Sequence, residues 1–289
     1  MKDSARRPRA AVDQGTADAF ARSWNRLPRR PIYTPEQHAD WMAPLTQSAV
    51  EGKTVLELGC GNGSLLYHTG GWRPAYLEGV DLGESVESAR DVMAAGAFGN
   101  WKVVKADLTD YDSPGFDIVY CIGVLHHLTN PEAGLDAVLR NVKDGGVFHC
   151  WVYAKEGNAL VRLLVEPLRR LFCRWPWWIT KYLVATCLAV PFFAYAKSVA
   201  MLRRVPGMRL APLYAYALWI AHREFAFFRH VAFDQLVTPR TTFLERDTIG
   251  RWLTTRAQVV PNSAYVIMRN GNSWKFGGRV RRGARDADA

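Results

Sequence analysis

Three glycines spaced two apart, Gly59, Gly61 and Gly63, end the run Val55-Leu56-Glu57-Leu58-Gly59-Cys60-Gly61-Asn62-Gly63-Ser64-Leu65-Leu66, the stretch best suited to hold a ligand. An apolar strand that stops in such a loop and leads into a helix brings backbone N–H groups and the positive helix end up to a polar small molecule. Asp81 closes a second apolar run at the distance, about 20 residues on, where an acid accepts hydrogen bonds from ribose hydroxyls. Two adjacent imidazoles, His126 and His127, follow a third run, and an imidazole titrates near enough to neutrality to take a proton from a reacting group. Each feature also has a structural reading. The loop can be a surface turn, Glu57 a buried hydrogen-bonding acid, Asp107 a turn cap and the histidines pocket walls.

These residues need elements to position them. Lys53 to Leu58 predicts a first strand and Asn62 to about Thr69 a helix. Tyr76 to Val80 predicts a second strand ending in Asp81, and Ser85 to Ala95 a helix in which Val86, Ala89 and Val92 repeat at helical spacing. Trp101 to Lys105 gives a third strand, followed by Asp107, and Phe116 to Ile122 a fourth. Asn130-Pro131 starts a helix reaching Val142, and Asp144-Gly145-Gly146 turns into a fifth strand, Val147 to Tyr153. Strands alternating with helices make βαβ units, a parallel sheet and a doubly wound α/β domain, whose ligands sit outside the carboxyl ends of the strands.

With those motifs in order, the chain resembles the class I S-adenosylmethionine (SAM)-dependent methyltransferases of the small-molecule subgroup. Val55 to Gly63 looks like the family's first motif, Gly79-Val80-Asp81-Leu82 like its ribose-binding motif, Ala106-Asp107-Leu108 like its adenine-contacting segment, and Phe116 to Leu128 like its fourth-strand motif. The resemblance covers roughly Gly52 to Tyr153 and the closing hairpin near the C-terminus. It implies a Rossmann-like, doubly wound seven-stranded sheet with an antiparallel last strand, and S-adenosyl-L-methionine as cofactor. It implies that Gly59, Cys60, Gly61, Asn62 and Gly63 line the methionine and ribose, that Glu57 reaches the amino group directly or through water, and that Asp81 and Leu82 hold the ribose. Asp107 would accept from the adenine amino group while Leu108 covers the ring, and Cys121, Ile122 and Gly123 would line the methionine end. His126 is expected to deprotonate an acceptor hydroxyl, with His127 orienting it or pointing into structure and Tyr153 a second contact on the same side. A nicotinamide dinucleotide domain wants G-x-G-x-x-G for its pyrophosphate, whereas here the third glycine comes one residue early and Glu57 stands just before the loop.

The chain of 289 residues is long enough to bury a core, and its five cysteines form neither a C-x-x-C pair nor a His/Cys group at metal spacing. That predicts free thiols, no metal and a cytoplasmic address, with the inner face of the membrane as the alternative. Met1–Ala10 and Lys275–Ala289 each contribute +3 to a formal charge of +10, and because such tails are usually solvated no nucleic-acid partner is expected. The predicted organisation is a disordered basic tail (1–15), an N-terminal helical cap (16–51) with Phe20, Trp24, Tyr33 and Trp41, and the SAM-binding core (52–156). A helical insert (157–241) follows, then completion of the core (242–275) and a second disordered basic tail (276–289).

The insert falls between the fifth and sixth strands and is rich in aromatics. Its apolar segment Tyr182 to Ala196 is interrupted by Pro191 and is shorter than the roughly 20 residues of a membrane span. It reads either as a lid walling off an acceptor pocket or as helices lying on a membrane with Trp and Lys/Arg at the interface. After it, Thr242 to Glu245 looks like a capping box, and Ala257 to Pro261 and Ala264 to Asn270 read as the last two strands. The expected function is methyl transfer to a small, partly hydrophobic or lipid-like acceptor at oxygen. The alternatives are a noncatalytic SAM-binding or membrane-surface module and, more weakly, an RNA-modifying methyltransferase. The oligomeric state is left open.

Overall fold

Five runs of apolar and β-branched residues build the parallel part of the sheet: β1 (Thr54–Leu58), β2 (Tyr76–Asp81), β3 (Trp101–Lys105), β4 (Phe116–Ile122) and β5 (Val142–Tyr153). The computed structural model describes residues 13–22, 29–173 and 175–282; residues 1–12 of the expected disordered tail (1–15), Trp24 and residues 283–289 lie outside the described residues, and residues 13–15, expected to be disordered, begin a helix. The sheet has seven strands in the order β3-β2-β1-β4-β5-β7-β6. β1 pairs in parallel with both β2 and β4, so the strand order reverses beside the Gly59–Gly63 loop, the place where such sheets take ligands.

Local chemistry explains where the helices begin. Thr34 and Gln37 form a reciprocal capping box ahead of α2 (Pro35–Met42), which follows α1 (13–22). Gly63, at φ 77°, precedes α3 (Ser64–Gly70), and α4 (Ser85–Ala94) buries Val86, Ala89 and Val92 as their spacing predicts. The Asn130 side chain accepts from the Glu132 and Ala133 N–H groups at the head of α5 (Pro131–Asn141).

The C-terminal part corrects the sequence reading twice. Residues 257–261 form no strand; only an isolated bridge joins Val259 to Val280. The closing strands are β6 (Tyr265–Arg269) and β7 (Ser273–Arg279), so Lys275 and the start of the expected tail are buried in the sheet. The pivot is Asn270-Gly271, with φ of 51° and 70°, the positive pair that a tight hairpin turn requires. β7 runs antiparallel to β5, with Val280 N–H donating to Gly146 and Gly145 N–H to Val280. The second correction is the capping box at Thr242, which does not form. The backbone of 242–244 is drawn to the sheet instead, and α10 (Arg246–Thr255) starts after Glu245 without a side-chain cap.

The chain divides into two compact units: Met1–Tyr153 with Arg240–Ile267 and Trp274–Ala289, and Ala154–Pro239 with Met268–Ser273. The second unit contains α6 (Glu166–Phe172), α7 (Ala185–Met201), α8 (Tyr214–Ala221) and α9 (Phe225–Val237). Its core joins Ala189, Ala196 and Val199 of α7 to Ala217 and Ile220 of α8 and Phe228 of α9. Pro191 does not break α7. Helical structure runs from Trp177 to Met201, 25 residues, which by length and composition suffices to cross a membrane.

Candidate active site

The glycine loop is built more for packing than for exposing donors. Gly59, Gly61 and Gly63 all have positive φ (84°, 53° and 77°). A Cβ at Gly59 would lie 2.3 Å from Val124 Cγ2, and one at Gly63 would lie 2.9 Å from Ala89 Cα. The turn after β4 therefore rests directly on the loop. Gly59 and Cys60 N–H donate to Val80, Gly61 N–H to Asp81 Oδ2 at 2.9 Å, Gly63 N–H to Cys60 and Ser64 N–H to Asn62 Oδ1. With these donors already used, the loop offers little to a pyrophosphate, which suits a ligand whose charge is positive. The Cys60 side chain lies against Gly79 in the sheet, and the residue is buried.

The two acids have different settings. Asp81 accepts from Gly61, Gly83 (2.8 Å) and the Ser85 hydroxyl (3.2 Å). Burial raises its pKa against the pull of those donors. Glu57 is buried on β1, and burial lifts its carboxyl to about 8 although the Tyr120 hydroxyl, donating to Oε2 at 2.9 Å, pulls the other way. Among the described residues its Oε1 has no partner. Tyr120 continues a buried chain of hydrogen bonds to the Thr69 hydroxyl and on to His38 Nε2, each step 2.9 Å. Burial lowers His38 to about 3, so it is neutral. Sequence reasoning missed this chain because Tyr120, Thr69 and His38 lie on three separate elements, and a tyrosine in a central strand reads as core. Asp107 is a turn cap, as its structural reading has it, with Oδ1 accepting from the Thr109 N–H and hydroxyl; Leu108 is buried beside it.

Past β4 the chain turns at Gly123 (φ 80°), whose N–H donates to Trp151, and one helical turn, Leu125–His127, carries both histidines inward. His126 packs 4.1 Å from the His127 ring, 4.4 Å from Tyr153 and 5.8 Å from Trp151, centroid to centroid. It is fully buried, and among the described residues neither ring nitrogen has a hydrogen-bond partner. Burial, with His127 adding to it, holds its pKa well below the usual imidazole range. His127 instead donates through Nδ1 to the Arg240 carbonyl at 2.8 Å. Thr242 N–H binds the His126 carbonyl and Leu244 N–H the Tyr153 carbonyl, so the segment after the insert ties these two residues together. Cys121 and Ile122 are buried at the end of β4, while Leu82 is half-buried beside Asp81.

Helix α1 spans this end of the sheet. The Asp13 carboxylate accepts from the Thr129 N–H and hydroxyl at 2.8 Å, Phe20 lies edge-on to His127 at 5.1 Å, and the Ala17 carbonyl stands 3.1 Å from where a Cβ on Gly83 would be. It thus touches both the Asp81 loop and the histidine turn. The contact of Asp13 has no local signature, since its partner is 116 residues away.

Residues 32–190, more than half of the chain, match the methyltransferase domain family, and the chain belongs to that family. It is 32% identical over 103 residues to the ubiquinone biosynthesis O-methyltransferase of Pseudomonas paraeruginosa, a match covering 35% of this chain and 44% of the relative. With the protein of the same name from Bordetella avium it shares 31% over 160 residues, 52% of this chain and 64% of that one. The chain therefore spans about half to two thirds of the length of these relatives. Among solved structures, magnesium protoporphyrin IX methyltransferase from Synechocystis PCC 6803 with bound SAH superposes with a TM-score of 0.50 at 14% identity, over 86% of this chain and 83% of that one. That likeness is one of fold: the Rossmann-like seven-stranded sheet with antiparallel last strands.

Proposed function

We propose that this chain is a SAM-dependent methyltransferase that methylates a small-molecule acceptor at a hydroxyl oxygen. The observation that carries the proposal is His126. A buried imidazole with both nitrogens unpartnered costs about 1–3 kcal/mol, and it stands two residues beyond the valine that covers the glycine loop. Family membership and the printed names of the two relatives support the reaction class.

Bound SAM would supply an electrophilic methyl group carried on a sulfonium. This chain's residues would do the rest. Asp81 has the oxygens for two ribose hydroxyls, Glu57 Oε1 faces the requirement for an amino group, and Asp107 keeps Oδ2 for an adenine amino group while Oδ1 holds its turn. His126, neutral because it is buried, accepts the acceptor's proton at a ring nitrogen, and Trp151, Tyr153 and Phe20 keep bulk water away.

Thermal stabilisation by S-adenosylhomocysteine (SAH) tests the donor site: no shift at saturating ligand rejects it. Transfer of labelled methyl from SAM into a cell extract, followed by identification of the product, tests the acceptor. Stabilisation without transfer would point to a noncatalytic binding module. A labelled amine or carbon acid in place of an ether or ester would reject oxygen as the acceptor.

A further inference from the structure

Among the described residues, the exposed large apolar side chains fall almost entirely in one part of the chain. Apart from Ile267 and Met268, all lie between Leu160 and Leu210. Helix α7 shows why this is unusual. It buries Ala185, Ala189, Ala196 and Val199, yet the opposite stripe, Leu183, Cys187, Val190, Ala194, Lys197 and Met201, is exposed and carries one charge. A helix apolar on every side normally has neighbours all round. Here Leu183 is 60% exposed and Met201 79%. The uncovered stripe runs over 19 residues, from Leu183 to Met201, roughly 27 Å at the α-helical rise.

Charge identifies what covers it. Residues 157–210 contain nine lysines and arginines against a single acid, Glu166, so the insert carries a positive surplus of its own, larger than that of either tail. The loop after α7 interleaves the two chemistries: Met201, Leu202, Val205 and Leu210 alternate with Arg203, Arg204 and Arg209, all exposed, with Leu210 at 89%. Among the described residues none of these three arginines pairs with a carboxylate. Before α7, exposed Trp175, Trp177 and Trp178 stand between Arg170 and Lys181, the amphipathic rings favoured at a headgroup boundary. A second copy of the chain would bring the same positive charge to the contact, and a nucleic acid, although it can stack bases on tryptophan, has no use for the exposed aliphatic side chains Leu183, Val190, Met201, Leu202, Val205 and Leu210.

We infer that residues 160–210 dock on an anionic phospholipid bilayer, lying in its interface. Crossing is opposed by topology, since β5 before the insert and β6 and β7 after it belong to one sheet and so lie on one side of a membrane. Apolar side chains of this stripe enter the acyl boundary while the arginines meet lipid phosphates. This docking stands independently of the methyl-transfer reading.

Vesicle flotation of the full chain tests it, comparing phosphatidylcholine alone with phosphatidylcholine–phosphatidylglycerol mixtures. The expected result is flotation with the mixture, weakened by salt, and little with phosphatidylcholine alone. Arg203→Gln/Arg204→Gln/Arg209→Gln should lower partitioning by about a hundredfold, near fivefold per arginine removed from the surface. Leu183→Asp/Val190→Asp/Met201→Asp should abolish it. Circular dichroism verifies that each variant folds; should the helix variant unfold, the arginine variant, confined to a loop, still decides. Absence of flotation overturns the proposal, as does equal binding to neutral vesicles. An oligomer in light scattering that the aspartates dissolve, without lipid binding, would make the stripe a contact between copies instead.

Discussion

The sheet unit and the insert unit bury opposite things. In the first, polar groups are taken inside and paired, Glu57 with Tyr120 and Thr69 with His38, while His126 is a buried imidazole whose nitrogens have no hydrogen-bond partner among the described residues. In the second, apolar groups are left outside, along α7 and the loop after it. An unpaired group inside and an uncovered apolar stripe outside each mark a missing neighbour. One asks for a hydrogen-bonding small molecule and the other for an apolar surface.

Perturbations should separate the two regions, and the largest effect is expected at His126. His126→Ala should lower kcat by about 10²–10⁴-fold, the usual range for a general base, and leave stabilisation by SAH unchanged. A pH–rate profile unaltered by the substitution would make the residue a pocket wall. Next, Asp81→Ala should weaken SAH about 10–100-fold by calorimetry, since hydrogen bonds to a charged group contribute about 1.5–3 kcal/mol. Gly59→Ala should cost about 1–3 kcal/mol in denaturant unfolding, because the new methyl meets Val124 and the residue has positive φ. Gly99→Ala, with open space around it, is the control.

Glu57 gives a smaller, pH-dependent effect. Its carboxyl titrates at about 8, so the ligand-free site holds the proton at neutral pH. A cationic amino group favours the ionised form, so SAH affinity should climb by up to about tenfold per pH unit toward 8 and then level. Glu57→Gln should flatten that slope. The sign for stability is opposite: the folded chain binds more protons than the unfolded one between the ordinary carboxylate range and 8, so this residue's contribution falls as pH rises through that window. The smallest effect is expected in the insert, where Val190→Ser should change stability by no more than about 0.5 kcal/mol in the absence of lipid.

Much of the sheet unit was legible because its signals are local. Five parallel strands, the helices after them and the acids at their ends follow from apolar runs and the glycine, Asn-Pro and Gly-Gly breaks between them. The last hairpin was misplaced although its signal was present. Asn270-Gly271 is a strong short-range turn marker, but the polar run around it, Arg269 to Lys275, reads as an exit from the fold. In the structure Lys275 is buried and donates to the Asp40 carbonyl, an interaction with no trace in neighbouring residues. Likewise, counting charge by tails hid the surplus of the insert behind the acids of the sheet unit.

The sequence by itself determined the glycine loop, the acids at the strand ends and the His126-His127 pair after β4, because spacing along one strand and its turn sets where such groups fall. Only the tertiary structure decided which histidine is held by a carbonyl and which is left unpartnered among the described residues, that the N–H groups of Gly59, Cys60, Gly61 and Gly63 are already engaged, and which side of α7 is uncovered. Those outcomes depend on contacts such as Arg240 with His127 and Val80 with the loop, made between segments far apart in the chain. A residue's type fixes what it can bond to, and the packing of distant elements fixes what it finds.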